Sequence, residues 1–401
     1  MKRSLAILLN FETLEHFLQV NHEILSFLSE NLKEIYFINL PNNKFKTYKN
    51  SNKIKFLDRK NFKYLNPKNL NEFEEIIKNN NFLIKNNIGT GIKVFRILRI
   101  LKIYSVPQIN ISNIGFLTDS LLTSKNEIVN SFLYFFKKVI IHRFYIFLAV
   151  INIMPKIDIR FVSSKLQKEY FENNKKKIIN KFFFNQHFSI YKKLILVNSR
   201  SFDIFKKTKI KSNKKLIILL DIKADHETNL LLDRKIINKN KRLFYKNLNF
   251  FLKWCEKKLS SKIVICTHPY YNLSERKKIY KNFKVVQGQT KKYIQKCNSV
   301  FFFHSSAITE AFFLKKNIIN LETKILGEHW EHSSNIYPKY AGLEKINIDS
   351  KSSYQNLNLK KIIKRKSSKY YNFRKNFLIP DGNNSGFKKI YNIIKSSYSV
   401  S

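Results

Sequence analysis

Apolar positions along the chain follow two patterns, short continuous runs and longer segments with helical spacing. The clearest short runs lie in the second half, at Leu216–Leu220, Lys262–Cys266, Phe283–Val286, Val300–Phe303 and Ile318–Leu321. The segment Lys241–Leu259 places its apolar side chains on one helical face, namely Phe244, Leu248, Phe251, Leu252, Cys255 and Leu259. Buried strands that alternate with amphipathic helices predict a parallel, doubly wound sheet.

The first half repeats this alternation less regularly. A strand is predicted at Leu5–Leu9, a helix at Glu12–Leu32 and a second strand at Ile35–Ile38. The stretch Asn42–Lys68 is rich in Lys and Asn and has the composition of a loop, with one possible strand at Ile54–Leu57. A basic helix follows at Ile92–Ile103. The whole pattern predicts an α/β protein with two Rossmann-like domains, each a doubly wound parallel sheet.

The lysine-rich segment Lys206–Lys215 indicates a linker between the two domains. We therefore expect an N-terminal domain at residues 1–205 and a second domain at residues 206–350. Beyond Ser350 the sequence becomes rich in Ser, Lys and Tyr, so residues 351–401 are expected to form a basic helical tail that ends with a helix at Phe387–Ile394.

Composition adds a large excess of positive charge to this picture. The 401 residues include 75 Lys and Arg against 28 Asp and Glu, so the formal net charge is 75 − 28 = +47. Such a charge favours phosphate-bearing partners, on nucleic acid, a membrane surface or a substrate. The alternative is compositional, because Lys, Asn, Ile and Phe are the residues of A/T-rich codons. An apolar content of 44% supports a packed core and excludes global disorder.

No secretory or membrane-spanning segment is predicted. The apolar run that follows Met1 is short, and no small-residue cleavage site follows it. The uninterrupted apolar part of the most apolar stretch, Phe144–Met154, is shorter than the ~20 residues that a bilayer requires. It fits a buried helix or, alternatively, a helix at a membrane interface. Three widely spaced cysteines suggest neither disulfides nor a zinc site, which favours the cytoplasm.

Polar residues follow the predicted strand Val300–Phe303, at the sheet edge where open parallel sheets bind ligands. His304, Ser305 and Ser306 lie there, just before a helix. Hydroxyl groups at a helix start either cap the helix or, with its free N–H groups, bind a phosphate. Glu310, one turn into the helix, is placed to accept hydrogen bonds from ribose hydroxyls, or to favour the helix dipole.

Two further strand ends supply candidates. His268, in Cys266-Thr267-His268-Pro269, can contact a phosphate, although a structural hydrogen bond also explains a single histidine. Gly288 permits close approach of the backbone, and Gln289 and Thr290 follow it into a helix. Three such turns in consecutive strand–helix units favour a nucleotide site.

The loop after Leu216–Leu220 contains residues that could line a substrate, namely Asp221, Asp225 and His226. A metal site is not predicted, because the cluster Glu328–His332 has two His and two Glu but no third ligand in clear register. The chain has no Walker loop, no dinucleotide fingerprint at its first strand and no Gly-x-Ser-x-Gly elbow. No cofactor is therefore expected.

The ordered strand-end motifs resemble those of the bacterial surface-carbohydrate biosynthesis proteins (capsule and lipopolysaccharide), which belong with the two-domain glycosyltransferases of the GT-B type. The matching segments are Asn198–Phe205, Leu219–Asp221, Phe244–Asn249, Val264–Pro269, Gly288–Thr290 and His304–Ile308. The resemblance implies two Rossmann-like domains facing a cleft, with the nucleotide half of an activated sugar bound by the second domain.

Residue by residue, the resemblance implies that His268 faces the phosphates, that Ser305 and Ser306 contact the diphosphate and that Glu310 binds the ribose. One departure is the loop after Asp221, where the family has a proline-rich segment that this chain lacks. The donor sugar therefore does not carry over. The first half matches no motif, so the acceptor, a growing surface glycan or a lipid-linked one, is an expectation from the class alone.

Sugar transfer of this kind needs stabilisation of the departing phosphate, which helix N–H groups and His268 can supply without a metal. An inverting enzyme also needs a general base from the first domain. Glu12, His16 and Asp119 lie near predicted strand ends there, and Asp119 is the first candidate, with helix capping as its alternative.

The charge also suggests where the enzyme works. Lipid-linked acceptors are held at the inner face of the cytoplasmic membrane, where anionic lipids attract basic residues. The helix face with Arg96, Arg99 and Lys102 is the candidate for such peripheral contact.

Two other functions fit part of the sequence. A phosphotransferase that uses a CDP-linked polyol also needs a His-Pro turn and a serine-rich helix start. A nucleic-acid-binding protein is suggested by Phe182–Phe184 after Lys175–Lys177, but the buried parallel strands argue against it.

Overall fold

The computed structural model describes residues 2–9, 14–41, 59–86, 88, 92–111, 144, 147–149, 151–176, 191–206, 213, 215–221, 230–268, 271–327, 330, 335–364 and 366–400. These residues form two compact units, each around its own parallel sheet. The first unit comprises the described residues of 1–114, 133–204 and 379–401, and the second comprises those of 205–378. The α/β class with two Rossmann-like, parallel-sheet domains is thereby confirmed.

The strands, in chain order, are β1 (Ser4–Leu9), β2 (Ile35–Asn39), β3 (Phe62–Leu65), β4 (Phe82–Lys85), β5 (Gln108–Ile111), β6 (Ile157–Val162), β7 (Tyr191–Leu196), β8 (Leu216–Leu220), β9 (Lys262–Thr267), β10 (Lys284–Gln287), β11 (Ser299–Phe302), β12 (Asn317–Glu322) and β13 (Lys345–Asn347). The α-helices are α1 (Leu14–Asn31), α2 (Leu70–Asn79), α3 (Ile92–Ile103), α4 (Lys165–Lys176), α5 (Arg200–Phe205), α6 (Leu230–Leu259), α7 (Leu273–Ile279), α8 (Thr290–Lys296), α9 (Ile308–Phe313), α10 (Ile336–Ala341), α11 (Leu359–Lys364), α12 (Ser368–Phe373) and α13 (Gly386–Tyr398).

The first unit is built on a seven-stranded sheet in the order β3-β2-β1-β4-β5-β6-β7, and every pair in it is parallel. The predicted strands β1 and β2 and the helix α3 form as expected. Strand β3, in contrast, lies inside the stretch predicted as a loop. It is a short edge strand with only Phe62 buried, so its sequence shows little of the apolar pattern from which strands are predicted.

The second unit is built on a six-stranded parallel sheet in the order β10-β9-β8-β11-β12-β13. The central strands are buried along almost their whole length, apart from Leu216 and Lys262 at their amino ends, as expected where helices cover both faces of a parallel sheet. Helix α6 buries the face predicted for it, with Phe244, Leu248, Phe251, Leu252 and Cys255 all in the core. These positions follow the i, i+4, i+7, i+8, i+11 spacing that brings side chains onto one side of a helix.

The last 50 residues divide between the two units. Helices α11 and α12 belong to the second unit, where Ile363 and Tyr370 are buried. Helix α13 belongs to the first unit, and its Phe387, Ile390 and Ile394 lie in the core beside β1 and α1. The side chain of Ser385 caps α13 by accepting a hydrogen bond from the Lys388 N–H group. The segment expected to form a basic helical tail thus contributes to both cores.

The apolar segment Phe144–Met154 lies partly in the first unit's core, where Leu148, Ala149 and Met154 are buried against α3. Across the portion of the chain that the structure describes, no helix combines the length and the apolar character needed to cross a membrane.

Candidate functional site

The carboxyl ends of β10, β9, β8 and β11 lie side by side at one edge of the second sheet. Leu220 of β8 pairs with Cys266 of β9 on one side and with Phe302 of β11 on the other. Thr267 pairs in turn with Gln287 of β10. Since neighbouring strands are about 4.8 Å apart, the four strand ends span about 14 Å. The strand order reverses between β8 and β11, and this is the kind of switch point at which open α/β sheets form a ligand crevice.

The helix that follows β11 begins without using the predicted serine hydroxyls. Its N-cap is Ala307, which has no side-chain hydrogen bond, and α9 itself is only six residues long. The first helical N–H groups, of Ile308 and Thr309, donate to the carbonyl oxygens of Ser305 and Ser306. The amide groups of these first turns are therefore already paired, so capping does not explain the two hydroxyls.

The loop itself holds the groups that remain available. Ser306 is exposed and Ser305 is half-buried. Neither their backbone N–H groups nor that of Ala307 has a hydrogen-bond partner in the described part of the chain. His304, half-buried, and Glu310, in the first turn of α9, flank these donors along the chain and make contacts of their own. Successive unpaired N–H groups beside hydroxyls form an arrangement that can bind an oxyanion.

The loop after β9 is fixed to the neighbouring strand. The carbonyl oxygen of His268 accepts hydrogen bonds from Gln287 Nε2 at 3.1 Å and from the Tyr271 N–H group at 3.1 Å. Gln287 Nε2 also donates to the Tyr271 carbonyl at 2.8 Å. Gln287, at the end of β10, thus fixes the backbone at both His268 and Tyr271. His268 itself is half-buried.

The turn after β10 requires glycine for conformational reasons. Gly288 has φ +70°, in the left-handed region, and a Cβ atom there would meet nothing within 4 Å. Gln289 is exposed and Thr290, half-buried, begins α8. The backbone at Gly288 is therefore open to close approach, as the sequence predicts, although α8 has only seven residues.

Asp221 is the residue whose position differs most from its predicted role. Its side chain has no exposed surface, so it does not line a solvent-accessible site as expected. Its Oδ1 atom accepts a hydrogen bond of 2.6 Å from Tyr280, and its Oδ2 atom accepts one of 3.1 Å from Thr267. Oδ2 also lies 3.7 Å from Nε of the buried Arg276. The buried carboxylate thus links the ends of two strands, because Asp221 follows β8 and its hydrogen-bond partner Thr267 ends β9.

Arg276 completes this buried network. It donates to the Tyr245 hydroxyl, and its guanidinium lies 3.3 Å from the centre of the Tyr271 ring. Burial opposes the charge, but the tyrosines and Asp221 outweigh that effect and raise the pKa of Arg276. Burial and the neighbouring Asp221 also raise the pKa of Tyr280 well above its usual value, so Tyr280 remains a hydrogen-bond donor.

Three predicted site residues, Asp119, Asp225 and His226, lie outside the described residues, as does most of the histidine- and glutamate-containing segment 328–332. Within the residues that are described, no group of three or more His, Cys, Asp or Glu side chains could hold a metal ion. The three cysteines are free and buried, and burial raises the pKa of both Cys266 and Cys297 to about 12, so these thiols are protonated at neutral pH.

Lys85 ends β4 at the carboxyl edge of the first sheet. The sequence pattern predicts no role for it. It is 4% exposed and is paired in register with the buried Ile7 and Ile109. Its ammonium lies 5.2 Å from the centre of the Phe17 ring and has no hydrogen bond or ion pair with any described residue. Burial lowers the pKa of Lys85 to about 8. The available signal was a single Lys at the end of the apolar run Phe82–Ile84.

The first sheet changes direction between β1 and β4, so Lys85 lies at the corresponding switch point. Sequence patterns place the site residues of the second unit correctly at strand ends, but they do not reveal this position, because β4 has only four residues.

Solved structures share this architecture over almost the whole chain, whereas no protein-family model and no curated protein matches the sequence. A protein of Listeria monocytogenes described as a UDP-N-acetylglucosamine 2-epimerase matches with a TM-score of 0.54 and 12% identity, covering 99% of this chain and 97% of its own. The calicheamicin glycosyltransferase CalG4 gives 0.51 and 8%, covering 98% of each chain. The wall teichoic acid polymerase TagF, soaked with CDPG, gives 0.51 and 10%, covering 100% of this chain and 90% of its own.

At identities this low, the likeness shows the fold alone. The chain has the architecture of the GT-B enzymes, with two Rossmann-like units built on parallel sheets. The activity must be argued from the residues.

Proposed function

We propose that this protein is a glycosyltransferase of the GT-B type that moves a sugar from a nucleotide-activated donor to a growing surface glycan or a lipid-linked acceptor. The observation that carries the proposal is the switch point between β8 and β11, where the loops with His268, Gly288 and Ser305 follow adjacent strands. In open α/β sheets this is the position at which nucleotides bind.

The loop after β11 supplies the chemistry needed at the donor phosphate. Breaking the bond between the sugar and the nucleotide leaves negative charge on the phosphate oxygen. The unpaired N–H groups of Ser305–Ala307, the two serine hydroxyls and the His268 side chain are the donors proposed to stabilise that charge. Glu310 is proposed to bind the ribose, and Gly288 to let the backbone approach the nucleotide closely.

On the acceptor side, Lys85 joins Asp119 as a candidate. Asp119 lies outside the described residues, and its role as general base stays a prediction from the sequence. Lys85 changes protonation near pH 8, close enough to neutrality for an amine to exchange a proton with an acceptor hydroxyl. A Lys85→Met enzyme is expected to lose about 10²-fold in turnover while the KM for the donor stays unchanged.

The test is nucleotide binding measured as thermal stabilisation. The wild-type chain is mixed with CMP, CDP, UDP, GDP, ADP and their common sugar conjugates, and the same panel is run with His268→Ala and Ser305→Ala. A nucleotide at about 100 times its dissociation constant stabilises the folded protein by about 2.7 kcal/mol. One nucleotide that stabilises the wild type but neither variant would support the proposed site.

Two matched variants serve as controls, His22→Ala and Ser396→Ala, since both residues lie on helices of the first unit. They should keep the full shift. A shift that all four variants retain would put the nucleotide elsewhere, and no shift from any nucleotide would contradict the proposal.

A polyol phosphotransferase is the second candidate, favoured by the fold shared with TagF and its CDPG ligand. Product analysis separates the two. A transferred sugar supports the glycosyltransferase, a transferred polyol phosphate supports the phosphotransferase, and an isomerised donor without any acceptor product would indicate an epimerase instead.

A further inference from the structure

A cluster of large apolar side chains is exposed on one surface of the first unit. It consists of Ile103, at the end of α3, with Phe144, Phe147, Ile151 and Ile153, and we call it the apolar patch. These side chains are 46–60% exposed. Isolated exposed hydrophobic residues are common, but five in one area mark a surface that meets an apolar partner.

The segment that carries the patch is apolar on both sides. Leu148, Ala149 and Met154 face inward and are buried against α3. The opposite positions, Phe147 and Ile151, face outward, joined by a hydrogen bond from the Ile151 N–H group to the Phe147 carbonyl at 3.1 Å. An amphipathic surface helix would place polar residues there. The outward apolar side chains are therefore not required by the core.

The turn after this segment holds the patch together. Asn152 has φ +64°, a left-handed conformation that Asn tolerates better than most residues, and Ile151 and Ile153 project on either side of it. Its Oδ1 atom accepts a hydrogen bond of 2.9 Å from Lys102 Nζ. This contact fixes the turn to the end of α3, beside Ile103.

Most charged residues around the patch are basic, although Glu74 of α2 accepts a hydrogen bond of 2.9 Å from Tyr104, the residue after Ile103. Arg96 and Arg99 are exposed on the same face of α3 as Ile103, at spacings of seven and four residues from it. Lys102 contacts the turn at Asn152, and Lys156 follows the turn along the chain. Neither α3 nor residues 144–156 contain an acidic residue. Arginine and lysine beside exposed Phe and Ile are the composition of surfaces that enter a lipid interface.

We propose that the apolar patch docks onto an anionic lipid bilayer, with Phe144, Phe147 and the isoleucines entering the interfacial layer and Arg96 and Arg99 contacting lipid phosphates. Charge complementarity favours a bilayer over a second copy of this chain, because two copies meeting at this surface would bring together basic residues of a protein with a net charge of +47. The proposal does not depend on the reaction proposed above.

Sedimentation with lipid vesicles tests it. The full chain is mixed with vesicles of phosphatidylcholine alone, and with vesicles containing equal amounts of phosphatidylcholine and phosphatidylglycerol, at about 0.15 M salt, where the Debye length is about 8 Å. Binding is expected only to the anionic vesicles. The Phe144→Ser/Phe147→Ser variant should bind at least about tenfold more weakly, and Arg96→Gln/Arg99→Gln about tenfold or more, since each basic residue contributes about fivefold.

Matched controls come from the second unit. Leu243→Ser/Phe250→Ser removes two apolar side chains that are 49% and 45% exposed, and Lys257→Gln/Lys258→Gln removes two exposed charges. Both should bind vesicles as the wild type does. An equal loss of vesicle binding in the controls and in the patch variants would mean that binding depends on non-specific electrostatic or hydrophobic adsorption, and it would overturn the proposal.

Absence of wild-type binding to anionic vesicles would overturn it too. A wild-type dimer in solution that only the Phe144→Ser/Phe147→Ser variant dissociates, with vesicle binding unchanged, would assign the patch to self-association instead. All these positions are exposed, so the variants are expected to unfold at the wild-type temperature. The nucleotide panel is independent, because it probes the second unit.

Discussion

Each of the two sheets has a buried positive charge near the carboxyl end of a central strand, and the two charges have opposite surroundings. In the second unit, Arg276 is enclosed by Asp221, Tyr245 and Tyr271. In the first unit, Lys85 lies near the ring of Phe17 and has no hydrogen bond or ion pair with any described residue. Burial opposes both charges, yet the pKa of Arg276 is raised and that of Lys85 is lowered to about 8.

The difference distinguishes a charge with a structural role, that of Arg276, from a charge that is available to a ligand, that of Lys85. A guanidinium held between a carboxylate and two tyrosines supports the ends of β8 and β9 and has little left to offer a ligand. An ammonium held without a carboxylate is a cost to the folded state, and such a group persists where it serves a site. We therefore interpret the Arg276 network as support beneath the donor site and Lys85 as a residue of the acceptor side.

The largest expected effect comes from removing the carboxylate of the partnered pair. Asp221→Asn keeps the shape of the side chain but leaves the buried Arg276 without its counter-charge, and we expect the second unit to lose about 3–5 kcal/mol of stability. Both tryptophans, Trp254 and Trp330, lie in the second unit, so their fluorescence during urea unfolding reports on it.

The matched control is Glu322→Gln, whose carboxylate pairs with a partly exposed Lys345 at 2.9 Å. That change should cost less than about 1 kcal/mol. If both variants lose equally little, Arg276 does not depend on Asp221 and the contrast with Lys85 disappears.

The next largest effect has the opposite sign. Lys85→Met removes a desolvated charge and should stabilise the first unit by about 3 kcal/mol at pH 7, because a pKa lowered from 10.5 to about 8 corresponds to that free energy. Between those two pH values the unfolded chain binds the proton that the folded chain has lost, so wild-type stability rises with pH. The advantage of the variant is therefore complete below pH 8 and fades towards pH 10.5.

Calorimetry across this pH range measures the difference, and the control is Lys78→Met, which changes an exposed lysine of α2. A Lys85→Met variant that is less stable than the wild type at pH 7 would mean that Lys85 has a favourable partner, and the contrast with Arg276 would fail.

The smallest effects resolve the network itself. Tyr280→Phe removes the 2.6 Å hydrogen bond to the Asp221 carboxylate and should cost about 2 kcal/mol, while Thr267→Val removes the longer bond and should cost about 1 kcal/mol. Tryptophan fluorescence again reports the loss. A greater loss from Thr267→Val would make the strand-end bond, and not Tyr280, the main support of the carboxylate.

More of the secondary structure of the second unit than of the first could be predicted from the sequence. Strand β8 and helix α3 have the bounds that their apolar patterns predict, and the five predicted strands of the second sheet differ from prediction by one residue at most at each end. The sixth, the three-residue edge strand β13, is not predicted. Long apolar runs between amphipathic helices make the agreement possible. In the first unit, β3, β4 and β5 have four residues each, too few to establish a period.

The candidate site shows the same division. His268, Gly288 and Ser305 are candidates because each lies within three residues of the end of an apolar strand. Asp221 follows β8 in the same way, but its enclosure could not be predicted, because its partner Arg276 lies 55 positions further along the chain in α7. Lys85 was missed because its burial depends on Phe17 of α1, which no local pattern connects to β4.

The sequence by itself determined the alternation of strands and helices, the α/β class and the polar residues that follow each strand, since periodicity and turn chemistry are local properties of the chain. Tertiary structure alone decided that β8 lies beside β11, that Asp221 is enclosed while Lys85 has no counter-charge among the described residues, and that Phe147 and Ile151 face outward. Strand order and burial depend on contacts between residues far apart in the chain, and those contacts are fixed only when the whole core packs.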